Sequence, residues 1–502
     1  MPTDTNTKPA PSPLTLTTYD DSGTEHSLSP NDFIDDEWIG KIYTDPNKLS
    51  VIEKTFCFHA IDAKGKPSGV IDLRVYRYLT HTQRIFVYGG IPYIYTNGYY
   101  AMDLRGTRIK SLIAACCLEQ YCRSSTTDRI FKLFLQDYSL EKTFKDLNHH
   151  SGHYINFKNG MYDVRKRKLY PHAPKLYSIN QIPWSYDPNA DHGSGTEIEN
   201  FLEYSVPDET DREMLLEYVG LCCTIDREQQ KMMVICGDGG TGKSTMINLI
   251  QEIVGEANIS NVAMSRLSEN FQSIPMMGKL LNACADLEID ALDDVTTIKK
   301  LIGEDKISDS YKGKDIISFD NYAKLLFSTN ELPLVRNEKT EGFYRRLLVL
   351  TMNQKPVKRD PTLPKRLRKE IPYLLHLAME ALHRMYERGY IIESDASKEA
   401  VKQLRRDSDT IEAFINEFYV KTFNGDDRVD RTTLYKQYKE FCDEEERTAH
   451  TRNNFFKALR NKGLKEGRTS NSRYFSGIRD NNVDADGFME MPAADDGAVI
   501  PF

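Results

Sequence analysis

No cysteine of this chain stands in a CxxC pair, no apolar run approaches the length of a bilayer, and no basic stretch leads into an apolar one at its start. Each absence excludes something. The nine cysteines (Cys57, Cys116, Cys117, Cys122, Cys222, Cys223, Cys236, Cys284 and Cys442) are odd in number and sit mostly in apolar runs. They are expected as reduced, buried thiols in a cytoplasm, not as a disulfide framework or a zinc ribbon. Without about 20 consecutive apolar residues, no membrane helix is expected. The opening "MPTDTNTKPAPSPLTLTTYDDSG" lacks the basic and apolar regions of a secretory signal. Its Thr, Pro, Ser and Asp content predicts a disordered arm over residues 1–30.

What is present is a chain of 502 residues, 40% hydrophobic and 28% charged, which predicts a soluble protein of about two to four domains. The net charge of −8 speaks against nucleic acid only as an average. From 447 to 479, nine Lys or Arg stand against one acid, Glu466; from 480 to 502 there are six acids and no base. The pattern reads as a basic module followed by an acidic, disordered tail. "DADG" at 484–487 belongs to that tail. "HHSGH" at 149–153 offers three imidazoles without a cysteine or a clear acid partner, so a solvated turn is expected there.

Along the chain, "RIFVYGGIPYIYTNGYYAMD" (84–103) alternates short β-type runs with Gly-Gly and Asn-Gly breaks and predicts an antiparallel meander. Residues 155–190 read as two short strands around a turn and a Pro-containing linker. Helices are expected from 197 to 223 and over most of 361–418. "KMMVIC" (231–236), "KLLNACADLEID" (279–290) and "YAKLLFSTNELP" (322–333) read as buried strands.

Between the first of those strands and the helix "KSTMINLIQEIVG" lies Gly237-Asp238-Gly239-Gly240-Thr241-Gly242-Lys243-Ser244. It fits G-x-x-x-x-G-K-[ST] without deviation. Its glycines let backbone N–H groups curl inward at the positive end of a helix. A Gly-rich turn would match such a pattern by accident, but the strand before it and the helix after it favour a nucleotide loop. Gly237, Gly239, Gly240, Thr241, Gly242, Lys243, Ser244 and Thr245 form the expected nucleoside-triphosphate-binding set. Lys243 would reach the β- and γ-phosphates and Ser244 would hold Mg²⁺. Asp286 and Glu288 end the second strand, where a carboxylate can hold the metal through water. Asn330 ends "LLFSTN", suited to orienting an attacking water. Arg345 and Arg346 follow; alone, they would read as surface ion pairs. Lys299, Lys300, Lys306, Lys312 and Lys314 surround Tyr311, with Lys324 beyond them. Such a run is either a solvated face or a single-stranded DNA contact.

In this order and spacing, these elements resemble superfamily 3 helicases. More closely, they resemble the helicase part of the poxvirus and satellite-phage type of primase-helicase, with phage and plasmid relatives. "INFKNGMYDV", "IKKLIGEDKIS", "FDNYAKLLFSTNELP" and "GFYRRLLVL" carry the likeness beyond the loop, over about 155–350. The resemblance implies an AAA+-like P-loop ATPase core closing into a homo-oligomeric ring, usually a hexamer, around single-stranded DNA. It implies Lys243, Asp286, Asn330 and Arg346 as catalytic residues, with Arg346 the finger acting on a neighbour, and Ser244 and Asp286 at the metal. It implies DNA contact by Lys306, Tyr311, Lys312 and Lys314. Relatives often carry a glutamate directly after the strand acid; here Leu287 stands there, and Glu288 shares the face of Asp286. The base assignment to Glu288 stays open on that account. The fused primase of the family is not evident.

The expected organisation is therefore an α/β protein. Residues 1–30 are the arm, 31–150 a mixed α/β region, 151–225 a linker and helical collar, 226–360 the ATPase core and 361–425 helical. Residues 426–479 form a winged-helix-like double-stranded-DNA-binding domain, and 480–502 the acidic tail. In that domain Arg452, Lys457 and Arg460 lie on a helix with Phe455, Phe456 and Leu459 facing inward, and Arg468 and Arg473 sit near a β-ribbon tip. A basic cap that only assists ring assembly is the other reading. Three functions fit in principle: an ATP-dependent replicative DNA helicase of a phage or mobile genetic element, an initiator using ATP as an assembly switch, and an RNA-directed viral ATPase. The last fits the loop but not the C-terminal end. Other replication proteins are conceivable partners; a membrane is not.

Overall fold

Two-residue turns set the register of the first sheet. Gly89, Gly90, Asn97 and Gly98 all take positive φ (57°, 73°, 49° and 95°), the backbone that tight hairpin turns require. They join Ile85–Tyr88, Ile91–Thr96 and Tyr99–Met102 into an antiparallel meander. The computed structural model describes residues 15–150, 152–191, 195–285, 291–292, 294–310, 316–335, 341–445, 449–470 and 472–481. The chain divides into two units, Met1–Ala190 and Asp191–Phe502. The expected 151–225 linker and collar is therefore shared between them.

In the first unit, helices Asp72–Thr82, Thr107–Cys116 and Ser124–Gln136 contribute Val75, Tyr78, Ile113 and Phe134 to one apolar core with Trp38 and Phe58. The expected arm needs correction over 16–28: Leu16–Tyr19 and Glu25–Leu28 pair as an antiparallel hairpin. Thr18 and Leu28 are fully buried, and Thr18 Oγ1 donates to Lys41 O at 2.7 Å. Asp20 shapes the turn by accepting the Ser22 and Thr24 N–H groups at 2.9 and 3.0 Å. The same Thr and Asp content that suggests disorder serves as strand and turn chemistry once a core is there to cover it. A second meander, Tyr154–Phe157, Gly160–Asp163 and Lys168–Tyr170, has three strands where the sequence suggests two. The third is only three residues long, too short for alternation to register.

The second unit is built on one parallel sheet: β1 (Met232–Cys236), β2 (Ile259–Ser260), β3 (Leu281–Cys284), β4 (Lys324–Thr329) and β5 (Leu347–Thr351), in the order β2-β3-β4-β1-β5. All six residues of β4 are buried, as a strand covered on both faces demands. Helices Thr196–Ser205, Glu209–Leu221, Ile371–Arg388 and Asp395–Asp407 accompany it. Glu209–Leu221 and Ile371–Arg388 touch at Gly220, where an added Cβ would lie 2.7 Å from both Ala378 O and Leu382 Cβ. A larger residue there would push the helices apart.

The C-terminal module begins earlier than the expected residue 426. Helix Thr410–Phe418 places Ile411, Phe414 and Ile415 in the same core as Tyr438, Phe455, Phe456, Leu459 and Phe475. Strand Tyr419–Lys421 pairs with Ile478–Asp480 and closes the module on itself. Helices Arg431–Glu444 and Arg452–Asn461 then lead into a sheet of Arg428–Asp430, Arg473–Ser476 and Lys465–Arg468. The acidic tail beyond residue 481 lies outside the described residues. All nine cysteines are free thiols, six of them buried.

Candidate functional site

The carboxyl edge of a parallel sheet is where ligands of open α/β folds bind, and the chemistry-bearing residues collect there. Loop 237–242 connects β1 to the helix Lys243–Val254. Gly237, Gly240 and Gly242 take positive φ (149°, 87° and 97°). A Cβ on Gly237 would meet Met352 O at 2.0 Å, so this position admits no side chain. Around Gly239 and Gly240 the space is open, which leaves the crest of the loop accessible to a bulky ligand.

Lys243 is only 5% exposed. Its Nζ donates to Gly237 O, to Asp238 O at 2.9 Å and to Asn330 Oδ1 at 2.9 Å. Three acceptors thus gather on the ammonium, as phosphate oxygens would. Asn330 directly follows β4, and Cys236 Sγ at the end of β1 contacts its backbone oxygen at 3.3 Å. Burial pushes the Cys236 thiol up, so it stays protonated beside this cation. Thr241 Oγ1 donates to Asp238 O at 3.0 Å and braces the loop. Ser244 is exposed on the first helical turn and Thr245 is half-buried. Lys243 and Asn330, far apart in sequence, are thereby brought together. Asp286, Leu287 and Glu288 lie outside the described residues, as do Tyr311, Lys312 and Lys314. Lys306 opens the antiparallel hairpin Lys306–Ser310/Ile316–Asp320 and lies 3.6 Å from Asp320.

The amino edge of the same sheet carries a different set. Lys324 opens β4, beyond the lysine run that reads as either a solvated face or a DNA contact, and it serves neither. It is buried, and its Nζ donates to Thr224 O at 3.0 Å and Tyr322 O at 2.9 Å. Burial pulls its pKa down to about 8, and Asp226 opposes that only in part. The folded state therefore binds fewer protons than the unfolded chain between pH 8 and 10.5. Stability from this group is full above 10.5 and lost as pH falls through 8. The stability of wild type minus that of Lys324→Met should rise by on the order of 3 kcal/mol across this window in urea unfolding. A flat difference would contradict the burial argument.

Arg346 stands just before β5, also on the amino edge. The length of β5 separates it from the loop by roughly 17 Å, too far for contact with phosphates held there. Its guanidinium is occupied: one nitrogen donates to Gly342 O at 2.6 Å and another to Gln230 Oε1 at 3.0 Å. Burial lowers its pKa, with Arg345 adding to the effect. Arg345, by contrast, is exposed. Its side chain has no partner among the described residues, while its carbonyl is held by Lys231 Nζ at 2.6 Å.

In the C-terminal module Phe455, Phe456 and Leu459 are fully buried, and Arg452, Lys457 and Arg460 are exposed on the same helix. The surplus of basic charge is smaller than the sequence count. Lys462 is tied to Asp409 (2.7 Å) and Glu412 (2.5 Å), which lie before residue 426. Arg460 pairs at 2.5 Å with Glu466, the one acid already in that count. Arg468 and Arg473 remain exposed and sit directly opposite each other across the ribbon. Like charges in that register are unfavourable, so the pair leaves a concentrated positive tip.

Fold and site together define a mixed α/β protein with a parallel sheet and a lysine-bearing loop at its carboxyl edge. Residues 68–205 match the family described as "D5 N terminal like", and residues 235–346 match a "Family of unknown function (DUF5906)". A protein of Acanthamoeba polyphaga mimivirus named "Putative helicase" is 23% identical over 313 residues, covering 57% of this chain and 32% of that protein. The chain spans about a third of that relative's length. Two solved apo structures of the NrS-1 C-terminal region align at 12% identity with a TM-score of 0.44, covering 80% of this chain and 98% of theirs. No helix among the described residues is long and apolar enough to cross a membrane.

Proposed function

We propose that this chain is the ATP-hydrolysing, AAA+-like motor of a replicative DNA helicase from a phage or mobile genetic element. It would work as a homo-oligomeric ring, usually a hexamer, drawing single-stranded DNA through its centre. The observation that carries this reading is the meeting of Lys243 Nζ with Asn330 Oδ1 at the carboxyl edge of the sheet. That contact joins a phosphate-gripping cation to a polar side chain fit to orient water. The D5-type match and the mimivirus helicase name support the replication setting.

ATP fits the residues present. The open crest at Gly239 and Gly240 would admit the phosphates to backbone N–H groups, and Lys243 would exchange its carbonyl partners for phosphate oxygens. Mg²⁺ fits the exposed Ser244 hydroxyl, with Asp286 as the sequence-derived second holder; bound there, it would neutralise phosphate charge. Asn330 would orient the attacking water and Glu288 would take its proton. Arg345 and Arg346 stand before β5, at the opposite edge of the sheet from their own loop, so the pair would serve the neighbouring subunit. Within it, Arg345 would reach across and Arg346, pinned by Gln230 and Gly342, would position it. Lys306, with Tyr311, Lys312 and Lys314 as the sequence-derived contacts, would meet single-stranded DNA in the channel. ATP turnover that rises on adding single-stranded DNA supports this reading; turnover indifferent to DNA favours the assembly-switch initiator.

The helix Arg452–Asn461 and the following ribbon would form a winged-helix-like contact to duplex DNA, with Arg468 and Arg473 at the wing tip. In the double variant Arg468→Ala/Arg473→Ala, duplex affinity should fall and the slope of log affinity against log salt should flatten by about two. Folding stability should not drop, because the variant also removes a repulsion. Unchanged affinity and salt slope would exclude the wing from DNA contact.

A further inference from the structure

The chain beyond β5 stays against the nucleotide loop. Met352 N–H donates to Cys236 O at 2.8 Å. A Cβ at Gly237 would touch both Met352 O and, at 3.3 Å, Asn353 Oδ1. Strand pairing thus fixes where the next residues run, and it delivers Lys355 to the mouth of the loop. Lys355 Nζ lies 2.9 Å from Asp238 Oδ2.

Asp238 sits in an awkward place for a phosphate-binding residue. Its backbone oxygen is one of the acceptors on Lys243 Nζ, so it stands where the outer phosphates would be gripped. Its carboxylate is 74% exposed, and Lys355 is its ion-pair partner. A triphosphate entering the loop brings several negative charges towards this carboxylate, and like charges repel. The ion pair is solvated on both sides and therefore exchangeable. A phosphate oxygen offers the lysine ammonium a more highly charged acceptor than one carboxylate does.

We propose that Lys355 is a phosphate-binding residue of this site. Its ammonium leaves Asp238 for the outermost phosphate of a nucleoside triphosphate. Asp238 is then the internal competitor that sets how much negative charge a ligand must carry to win the lysine. The inference rests on reading the loop as a nucleotide site. The Asp238 carboxyl is already held below its ordinary range, mainly by the Lys355 contact, so it competes as an anion at neutral pH.

Calorimetric titration of the purified chain with ATP and with ADP tests this. Lys355→Ala should weaken ATP binding by about tenfold or more and ADP binding by less than about threefold. Lys355→Arg should retain most of the ATP affinity. Asp238→Asn should tighten ATP binding when Lys355 is present, and by a smaller factor in a Lys355→Ala background, where only the repulsion is relieved. Unchanged or tighter ATP binding by Lys355→Ala would overturn the proposal, reducing the pair to a surface contact or a latch on the empty loop. Lys243→Ala serves as the reference. If it binds ATP like wild type, or wild type binds none, the nucleotide-site reading falls and Lys355 with it. If Lys243→Ala loses ATP while Lys355→Ala does not, only the Lys355 inference falls.

Discussion

Purified Lys243→Ala protein is expected to lose ATP hydrolysis by at least about 10³-fold, and to lose strand displacement with it. The ammonium is almost fully enclosed and carries three acceptors that anticipate phosphate. Alanine removes the loop's own side-chain cation, the one enclosed against the β- and γ-phosphate positions, and neither a mouth lysine nor a neighbour's arginine can take that place. Lys243→Arg is not expected to rescue. A planar guanidinium is larger and cannot turn its donors as an ammonium does, and the site is too tightly enclosed to admit it. Wild-type turnover in Lys243→Ala would remove this loop as the active site.

The second large effect concerns the arginine pair. Arg345→Ala should bind ATP normally and hydrolyse it about 10³–10⁵-fold more slowly, the usual worth of an arginine supplied across an interface. Its side chain is free among the described residues, whereas Arg346 is already spent on Gly342 and Gln230. Mixing Arg345→Ala with Lys243→Ala should restore hydrolysis, because some interfaces then pair an intact loop with an intact neighbouring arginine. If subunits demonstrably exchange and no activity returns at any ratio, the arginine acts in its own subunit or the ring fires only as a whole. If Arg346→Ala shows the hydrolytic loss and Arg345→Ala turns over normally, the roles within the pair are reversed.

Legibility followed length and chemistry. The loop, Lys243 and Asn330 stood out because their residue types have few other uses at that spacing. The meander was legible from Gly-Gly and Asn-Gly, since few other pairs supply two consecutive positive φ values. Strands β2 and β5 were not named: β2 has two residues, and β5 hides behind the arginines that drew attention instead. The burial of Lys324 is not legible, because a lysine in an apolar run looks like a surface charge. Nothing local reveals that Thr224 O waits across the fold to accept it. Counting charge along 447–479 overstated the basic surface because Asp409 and Glu412, before the supposed boundary, neutralise Lys462. Lys355 was missed because its meaning lies in strand pairing: only β5 beside β1 brings it to Asp238.

A motor of this kind must couple hydrolysis to DNA. The most direct measurement is strand release from a forked duplex with a labelled strand, using the purified chain with Mg²⁺ and ATP, tested on forks of both polarities. Release is expected with ATP on one polarity, none with a non-hydrolysable analogue and none from Lys243→Ala. Vigorous ATP hydrolysis with no strand released from either fork would contradict that coupling.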